Sequence, residues 1–509
     1  MAKQCVIDVD LADVWAAPDR KQRLRTMAWG DEVTVIDETP DHVEIESAVF
    51  RAQPDGSVLP EMRRGFIVPT RASGVSPVEA TRPLAENEVL RVNFVDVQQG
   101  DGAVIESPDG KVILVDGGDN QLFARYLAGR FRGTTDAAPK DIDCILVTHG
   151  DADHFEGLQR IHESEANTQP LKRLFIRPHR VYHNGIVKRP TKMNGVRVSD
   201  RDLLGATKQT PDGVFITGLV DDLLAVSDDE LNAPFKDWKA ALAAYAQRGP
   251  IQFRRLEFGD AHAFDFFNDG DLKIEVLGPL TTPVDGKSAL RFLGEPPHGP
   301  RMGHESLTTA TSGFSGLSAS HTINGHSVVF RLSYRGFSYL FSGDLNDQAA
   351  RFLAREHNAG TLNLRSEVLK VPHHGSADFS GAFIQAVSPV VSVVSSGDES
   401  ARKEYIHPRA TLMSALGMWS RVPESLVFVT ELVAFFEVEG PSRLTDQRKA
   451  GARGTFFGFS RAAFGLVKTR TDGRRLLVFT DSGNVALKEA YAYALDDSGV
   501  PQPAEVVRV

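Results

Sequence analysis

The chain has 509 residues, 41% of them hydrophobic and 24% charged, with a formal net charge of -10. That is enough material for two to four ordinary soluble domains, and the acidic balance excludes a global basic field, so any nucleic-acid contact has to be local. With only Cys5 and Cys144 present, a disulfide framework and a zinc ribbon are excluded, and a metal has to be held by histidine and carboxylate.

In chain order, residues 1–75 read as a small β domain. V-T-V-I-D-E (Val33 to Glu38), H-V-E-I-E (His42 to Glu46) and G-F-I-V-P (Gly65 to Pro69) are short strand-like runs between turn residues. Residues 76–88 read as a linker. The main domain spans 89–509. It opens with the strands V-L-R-V-N-F-V-D-V, A-V-I-E-S and K-V-I-L-V-D-G-G, and with a helix over Leu122 to Phe131. C-I-L-V-T-H is an apolar strand with a polar cluster at its C-terminal end, where α/β architectures bind ligands. An insertion at about 158–320 follows. Within it D-L-L-A-V-S-D-D-E-L and W-K-A-A-L-A-A-Y-A read as helices, and Asp271 to Pro279 as a strand. Residues 280–325 show little periodicity and read as a long loop, functional or disordered. The strands S-V-V-F-R-L-S-Y, F-S-Y-L-F-S-G-D, E-V-L-K-V-P-H-H-G-S and V-V-S-V-V come next. A C-terminal β extension begins near 440, with a hairpin turning at Asp472. No signal-peptide h-region is present and no apolar run approaches the ~18 residues of a membrane span, so the expected location is cytoplasmic, with no membrane contact.

Chemistry concentrates in T-H-G-D-A-D-H, Thr148 to His154. His149, Asp151, Asp153 and His154 are four ligand-type side chains within six positions, and a loop turning after the strand can aim them at one point. Imidazole with carboxylate suits Zn²⁺ or Mn²⁺, and two ions about 3.5–4 Å apart can be held if other segments add ligands.

The stretch resembles the signature H-x-[HD]-x-D-H of the metallo-β-lactamase superfamily. With Asp at the second ligand position, it resembles the hydrolase domain of ComEC/Rec2 competence proteins. F-V-D-V-Q-Q-G-D-G-A resembles that family's opening strand and turn, with Gln98 in place of a Gly. The resemblance implies an α/β fold, an αββα sandwich, with Asp116 behind the metal loop and Asp344 of F-S-G-D as the metal-bridging carboxylate. In L-K-V-P-H-H-G-S it implies His373 or His374 as a late ligand, the two pointing to opposite faces if they lie on a strand, and it makes Ser376 a substrate contact. Asn324 falls where competence-type relatives carry Asn, beside His321 as a further candidate ligand. His407 of Y-I-H-P is a candidate proton donor. Two divalent ions, Zn²⁺ or Mn²⁺, with Asp153 orienting a metal-activated hydroxide and His374 or His407 protonating the leaving oxygen, make up the implied mechanism. The N-terminal order W-A-A-P-D, G-D-E-V-T-V-I and G-F-I-V-P resembles a bacterial SH3-like barrel, a possible docking piece for a protein partner.

For substrate, the insertion carries Lys172, Arg173, Arg177, Arg180 and Lys188 among further basic residues, interleaved with Phe175, His179 and Tyr182. Such a run can track a phosphate backbone and stack bases. The expected function is a metal-dependent phosphodiesterase or nuclease acting on nucleic acid. The alternatives are hydrolysis of a small substrate (a cyclic nucleotide, a phosphocholine-type diester, a lactone or a thioester) and a binding module in a larger assembly.

Overall fold

Val112–Asp116 and Phe337–Phe341 are buried along their whole lengths, and strands of that kind need cover on both faces. Two sheets facing each other, each backed by helices, provide it. The computed structural model describes residues 2–70, 73–193, 195–295, 314–397, 407–433, 435–443, 455–463, 465–481 and 489–509. Among them, the larger sheet runs Gln252–Arg255, Arg180–His183, Cys144–Leu146, Val112–Asp116, Gly102–Glu106, Leu90–Val95, Leu466–Thr471, Arg475–Thr480, Ala490–Leu495, Pro501–Ala504. The second runs Leu272–Gly278, Val329–Tyr334, Phe337–Phe341, Val368–Lys370, Val391–Val394, Leu426–Val429.

The inner faces share one core, in which Phe94, Ile113 and Leu146 meet Phe330, Phe341 and Val368. Phe330 and Phe341 stack with ring centres 4.6 Å apart. Helices Leu122–Arg130, Ala152–Ser164 and Ala233–Ala246 cover the first sheet through Phe123, Leu158 and Trp238. Helices Asp347–Asn358, Gly381–Val387 and Ala410–Met418 cover the second through Leu353, Phe383 and Leu412. Helix, sheet, sheet, helix is a four-layer α/β arrangement. Val112–Asp116 pairs in parallel with Cys144–Leu146, and Phe337–Phe341 with Val368–Lys370. Their C-terminal ends carry Asp116, His149, Asp344 and His374, so the topology delivers these side chains to one edge.

Several expectations are corrected. Residues 76–88 are not a free linker: Thr81–Pro83 pairs with Lys3–Ile7 as the seventh strand of the N-terminal sheet, and Ala80 is buried in its core. The other end of the chain joins the same core through Val509. Leu11 N–H donates to the Val507 carbonyl at 3.1 Å, and Val509 N–H donates to the Leu11 carbonyl at 3.0 Å. Residues 222–231 are not a helix but two single 3-10 turns, Leu223–Ala225 and Asp228–Glu230. Asp222 caps the first through Leu224 N–H, and this local side-chain bonding competes with helix propagation. The stretch 280–325 is more ordered than a loop. Thr282–Val284 and Lys287–Arg291 form a hairpin, and Ala319–Gly325 is a helix; residues 296–313 lie outside the described residues.

Candidate metal centre

The site is built from the buried scaffold outward. Strand Cys144–Leu146 ends in Thr148 and His149, the chain turns at Gly150, and helix Ala152–Ser164 begins with Asp151 as its N-cap. Asp153 and His154 therefore project from the first helical turn. Asp116 accepts hydrogen bonds from Thr148 N–H (2.7 Å) and Thr148 Oγ1 (2.7 Å), and lies 2.9 Å from His154 Nδ1. In that contact His154 Nδ1–H donates to Asp116, which leaves Nε2 facing inward.

Asp344 follows Gly343, whose φ of 49° is left-handed, and its backbone N–H donates to Ser327 Oγ (3.0 Å). Its carboxylate is 3.3 Å from His154 Nε2, 3.0 Å from His374 Nε2 and 3.9 Å from His149 Nε2. His374 Nδ1 is 3.1 Å from the Ser395 carbonyl, which fixes the tautomer that leaves Nε2 free, and Nε2 is 3.6 Å from Asp153 Oδ2. Gln99 Nε2 donates to the same oxygen at 2.9 Å. Ligand atoms of Asp153, His154, Asp344 and His374 all lie within 4.8 Å of one another. His149 Nε2, His154 Nε2, His374 Nε2 and Asp344 Oδ1 are buried without a hydrogen-bond partner. Buried donor atoms left in this state are costly unless something binds them, and two carboxylates with two or three imidazoles suit a divalent ion. The residues therefore fit a metal.

Electrostatics agree. Burial opposes charge on His154 and His374, but Asp344 with Asp116, and Asp344 with Asp101, outweigh it. His154 is raised well above the usual histidine range and His374 to about 10. Asp344 is held well below the carboxylate range, because His374 and His154 outweigh its burial. Protons thus occupy the positions from which an ion would displace them. Burial, and then the neighbouring His154, depress His149, which stays neutral.

The remaining sequence candidates separate. His373 and His374 do not alternate on a strand: both sit in the turn Pro372–Gly375 with left-handed φ of 49° and 51°. His374 joins the donor group, whereas His373 Nε2 lies 3.3 Å from the Asn324 amide on the rim. Asp151 is hydrogen-bonded on both oxygens. Lys188 Nζ is 3.3 Å from its Oδ1, and the Asn324 amide, in the orientation that satisfies both its ends, donates to Oδ2 at 2.9 Å. His321 Nδ1 is 3.3 Å from Asp378 Oδ2, and His321 is not among the residues whose ligand atoms converge. Ser376 Oγ accepts from Asp378 N–H (3.2 Å) within its own turn. His407 has its ring centre 6.4 Å from that of His373, and burial together with His374 and His373 lowers it to about 4.

The basic segment is also corrected. Arg177 is bound to Asp141 (2.7 Å and 3.0 Å), and Arg173 Nε to the Asn167 carbonyl (2.6 Å). Arg180 stacks on Phe266 at 3.9 Å and reaches the Asp143 carbonyl. Asp143 precedes the strand whose far end carries His149, so these arginines lie at the opposite edge of the sheet. Lys172 lines a cleft of about 410 Å³ with Asp119, Arg160 and Glu163. Of the basic residues named above, Lys188 reaches the centre. Sequence reasoning missed Gln99 and Ser327, which orient the ligands from distant positions, and named Lys188 only as one of a basic run and not as a partner of Asp151.

Comparison with known proteins agrees with this geometry. Residues 95–188 match the metallo-beta-lactamase superfamily, and the chain carries a domain of that superfamily there. It is similar to competence protein ComA of Neisseria gonorrhoeae, 41% identical over 86 residues, which is 17% of this chain and 12% of that protein. It is also similar to ComE operon protein 3 of Bacillus subtilis (strain 168), 30% identical over 94 residues, which is 18% of this chain and 11% of that protein. The matched segments are thus a small part of those proteins. Among the described residues no helix is long and apolar enough to cross a membrane.

Proposed function

We propose that the chain is a metal-dependent hydrolase of phosphodiesters, with nucleic acid as the substrate class. The observation that carries the reading is the group Asp153, His154, Asp344 and His374, whose ligand atoms converge and of which His154 Nε2, His374 Nε2 and Asp344 Oδ1 are buried without a hydrogen-bond partner. Divalent ions in such a donor set, Zn²⁺ or Mn²⁺, acidify water and polarise a phosphoryl oxygen, which is the chemistry a neutral-pH hydrolase needs. The chain's own residues prepare this. Asp116 orients His154, the Ser395 carbonyl orients His374, Gln99 holds Asp153, and Ser327 anchors the backbone at Asp344. His373 and Asn324 stand on the rim, where a substrate oxygen would be met.

The nucleic-acid part leans on the similarity to competence proteins. The arginines bound at the far edge of the sheet favour the second reading, in which the same centre takes a small phosphodiester or a lactone. Purified protein with Mn²⁺ or Zn²⁺ against single-stranded DNA, duplex DNA, RNA, bis-p-nitrophenyl phosphate and a lactone decides between them. The first reading expects cleavage of at least one nucleic acid, lost in a D153A/H154A variant. Hydrolysis of the lactone with no phosphodiester cleaved overturns it. In this reading the N-terminal sheet is an SH3-like docking piece for a protein partner.

A further inference from the structure

The cleft lined by Lys172 leads away from the metal centre along helix Ala152–Ser164. Its near end is the loop 117–120. Gly118 N–H donates to the Asp101 carbonyl (2.8 Å), Gly157 N–H donates to the Gly118 carbonyl (2.8 Å), and a Cβ added at Gly157 would stand 2.9 Å from the Asn120 carbonyl oxygen. The loop is therefore pressed onto the first turns of the helix that carries Asp153. Asn120 Oδ1 then accepts from Leu122 N–H (2.8 Å) and starts helix Leu122–Arg130, which forms the facing wall. Leu174 N–H donates to Ser164 Oγ (3.2 Å), which brings Lys172 to the far end of helix Ala152–Ser164.

Charge is distributed unevenly along this cleft. Asp119, at the near end, accepts from Asn120 Nδ2 (2.9 Å) and feels the charge of Asp153. Glu163 is spent on Arg160 at 2.6 Å. Arg125 and Lys172 are left over. Among the described residues neither side chain is hydrogen-bonded or ion-paired to a carboxylate, and Arg125 Nε is buried with no partner at all. A buried guanidinium N–H without an acceptor is costly. Two unpaired cations in a polar cleft of about 410 Å³ suit an anionic oxygen, which a guanidinium fork and an ammonium bind well. Arg160 follows Asp153 by seven residues, two turns along one face of the helix. At ~1.5 Å per residue the cations stand roughly 10 Å from the metal ligands. A stacked strand advances ~3.4 Å per nucleotide, so that reach is about three nucleotides.

We propose that this cleft is a backbone site for a nucleic-acid strand: with one phosphodiester at the metal centre, a phosphate about three nucleotides away is bound by Arg125 and Lys172. The proposal rests on the nucleic-acid reading above and supplies the local basic contact that an acidic chain requires. Contacts of this kind position a strand without reading its sequence, so the cleft responds to strand length, in DNA and RNA alike.

The test is fluorescence anisotropy of end-labelled oligothymidylate and oligouridylate with the full chain in chelator, so that no strand is cut. Dinucleotides are compared with strands of about eight nucleotides, long enough to span the cleft. The longer strands are expected to bind more tightly. Lys172→Gln and Arg125→Gln are each expected to lower the slope of log affinity against log salt by about 0.7, one single-strand phosphate contact. Lys172→Arg should restore the slope, and Arg177→Gln, at the opposite edge of the sheet, should leave it as in wild type. Thermal melts of each variant separate a lost contact from a lost fold, and partly exposed Lys172 keeps the test open if Arg125→Gln unfolds. Binding of either strand in this pattern supports the proposal. Equal affinity for short and long strands, or an unchanged slope in folded Lys172→Gln and Arg125→Gln, overturns it. Hydrolysis of bis-p-nitrophenyl phosphate by the metal-loaded wild type then leaves the hydrolase reading standing, because that diester is too short to reach the cleft.

Discussion

Asp116 stands behind the converging ligand atoms, yet it decides which nitrogen of His154 faces them. Its carboxylate takes both Thr148 donors and the Nδ1 side of His154, and it is fully buried. Such an outer carboxylate tunes affinity through the ligand it orients. Asp116→Asn is therefore expected to weaken Mn²⁺ or Zn²⁺ binding by about 10–100-fold with the fold intact, measured by competition with a chromophoric chelator. An unchanged affinity would mean that Ser327 and Thr148 hold the histidines alone. Residues at this scale were legible where they are dense in sequence: His149, Asp153 and His154 declare themselves within six positions. Lys188 reaches Asp151 across 37 positions and Ser327 reaches His149 across 178. Each is an ordinary residue until the sheets bring its strand end to the same edge. The two groups that engage Asp151, Lys188 and Asn324, are likewise invisible in its spacing.

Elements set the precision of the site. Gly100, with φ of 97°, lies against the first turn of helix Ala152–Ser164, and a Cβ added there would stand 1.7 Å from the Asp153 carbonyl oxygen. Gly100→Ala is expected to cost about 2–4 kcal/mol from backbone strain and overpacking together, and to loosen Asp153. Chemical denaturation and metal affinity, both reduced, check it. Gln98, two positions earlier, already holds a positive φ of 63° without being glycine, its N–H bonded to Asp96 Oδ1 at 3.0 Å. The turn survives that departure from the competence-protein pattern. Glu106 joins strand Gly102–Glu106 to helix Leu122–Arg130 through Arg130 (2.6 Å) and to its neighbouring strand through Arg91 (3.4 Å). Burial raises its pKa, but Arg91 and Arg130 outweigh this and hold it at about 2. The folded value lies below the unfolded one. The stabilisation is therefore fully present above about pH 4.5 and is lost as the pH falls toward 2, amounting to roughly 3 kcal/mol. The gap in urea midpoint between wild type and Glu106→Gln should narrow on acidification through this window. A constant gap would contradict it. At this scale apolar runs announced the central strands, while the hairpin Thr282–Val284/Lys287–Arg291 was overlooked. Its signal, Asp285-Gly286 with φ of 51° and 74°, is a two-residue turn of the kind that favours Asp-Gly, and it was masked by the polar stretch around it.

At the scale of the whole molecule, the two ends of the chain close on each other. Val507 and Val509 flank Leu11 through backbone bonds, Arg508 pairs with Asp13 (2.9 Å), and Arg475 Nε donates to Asp10 Oδ1 (2.9 Å). Leu11, Ala28 and Trp29 then pack on Leu477 and Phe479 of the large sheet. Truncation after Ala504 is expected to release the N-terminal sheet to limited proteolysis and to lower the melting temperature, while metal binding survives; protection equal to wild type would show that the Trp29 contact suffices. No local sequence signal links residues 11 and 507, since only the three-dimensional closure makes them neighbours.

On the proposed function, Asp344 and its histidine partners form the metal centre that does the chemistry. The most direct measurement follows bis-p-nitrophenyl phosphate hydrolysis by chelator-stripped protein, before and after return of Mn²⁺ or Zn²⁺, beside Asp344→Asn. Stripped protein should be inactive, the returned ion should restore turnover to wild type, and Asp344→Asn should remain at least about a hundredfold slower. Turnover that persists without metal, or that Asp344→Asn leaves unchanged, would contradict the account.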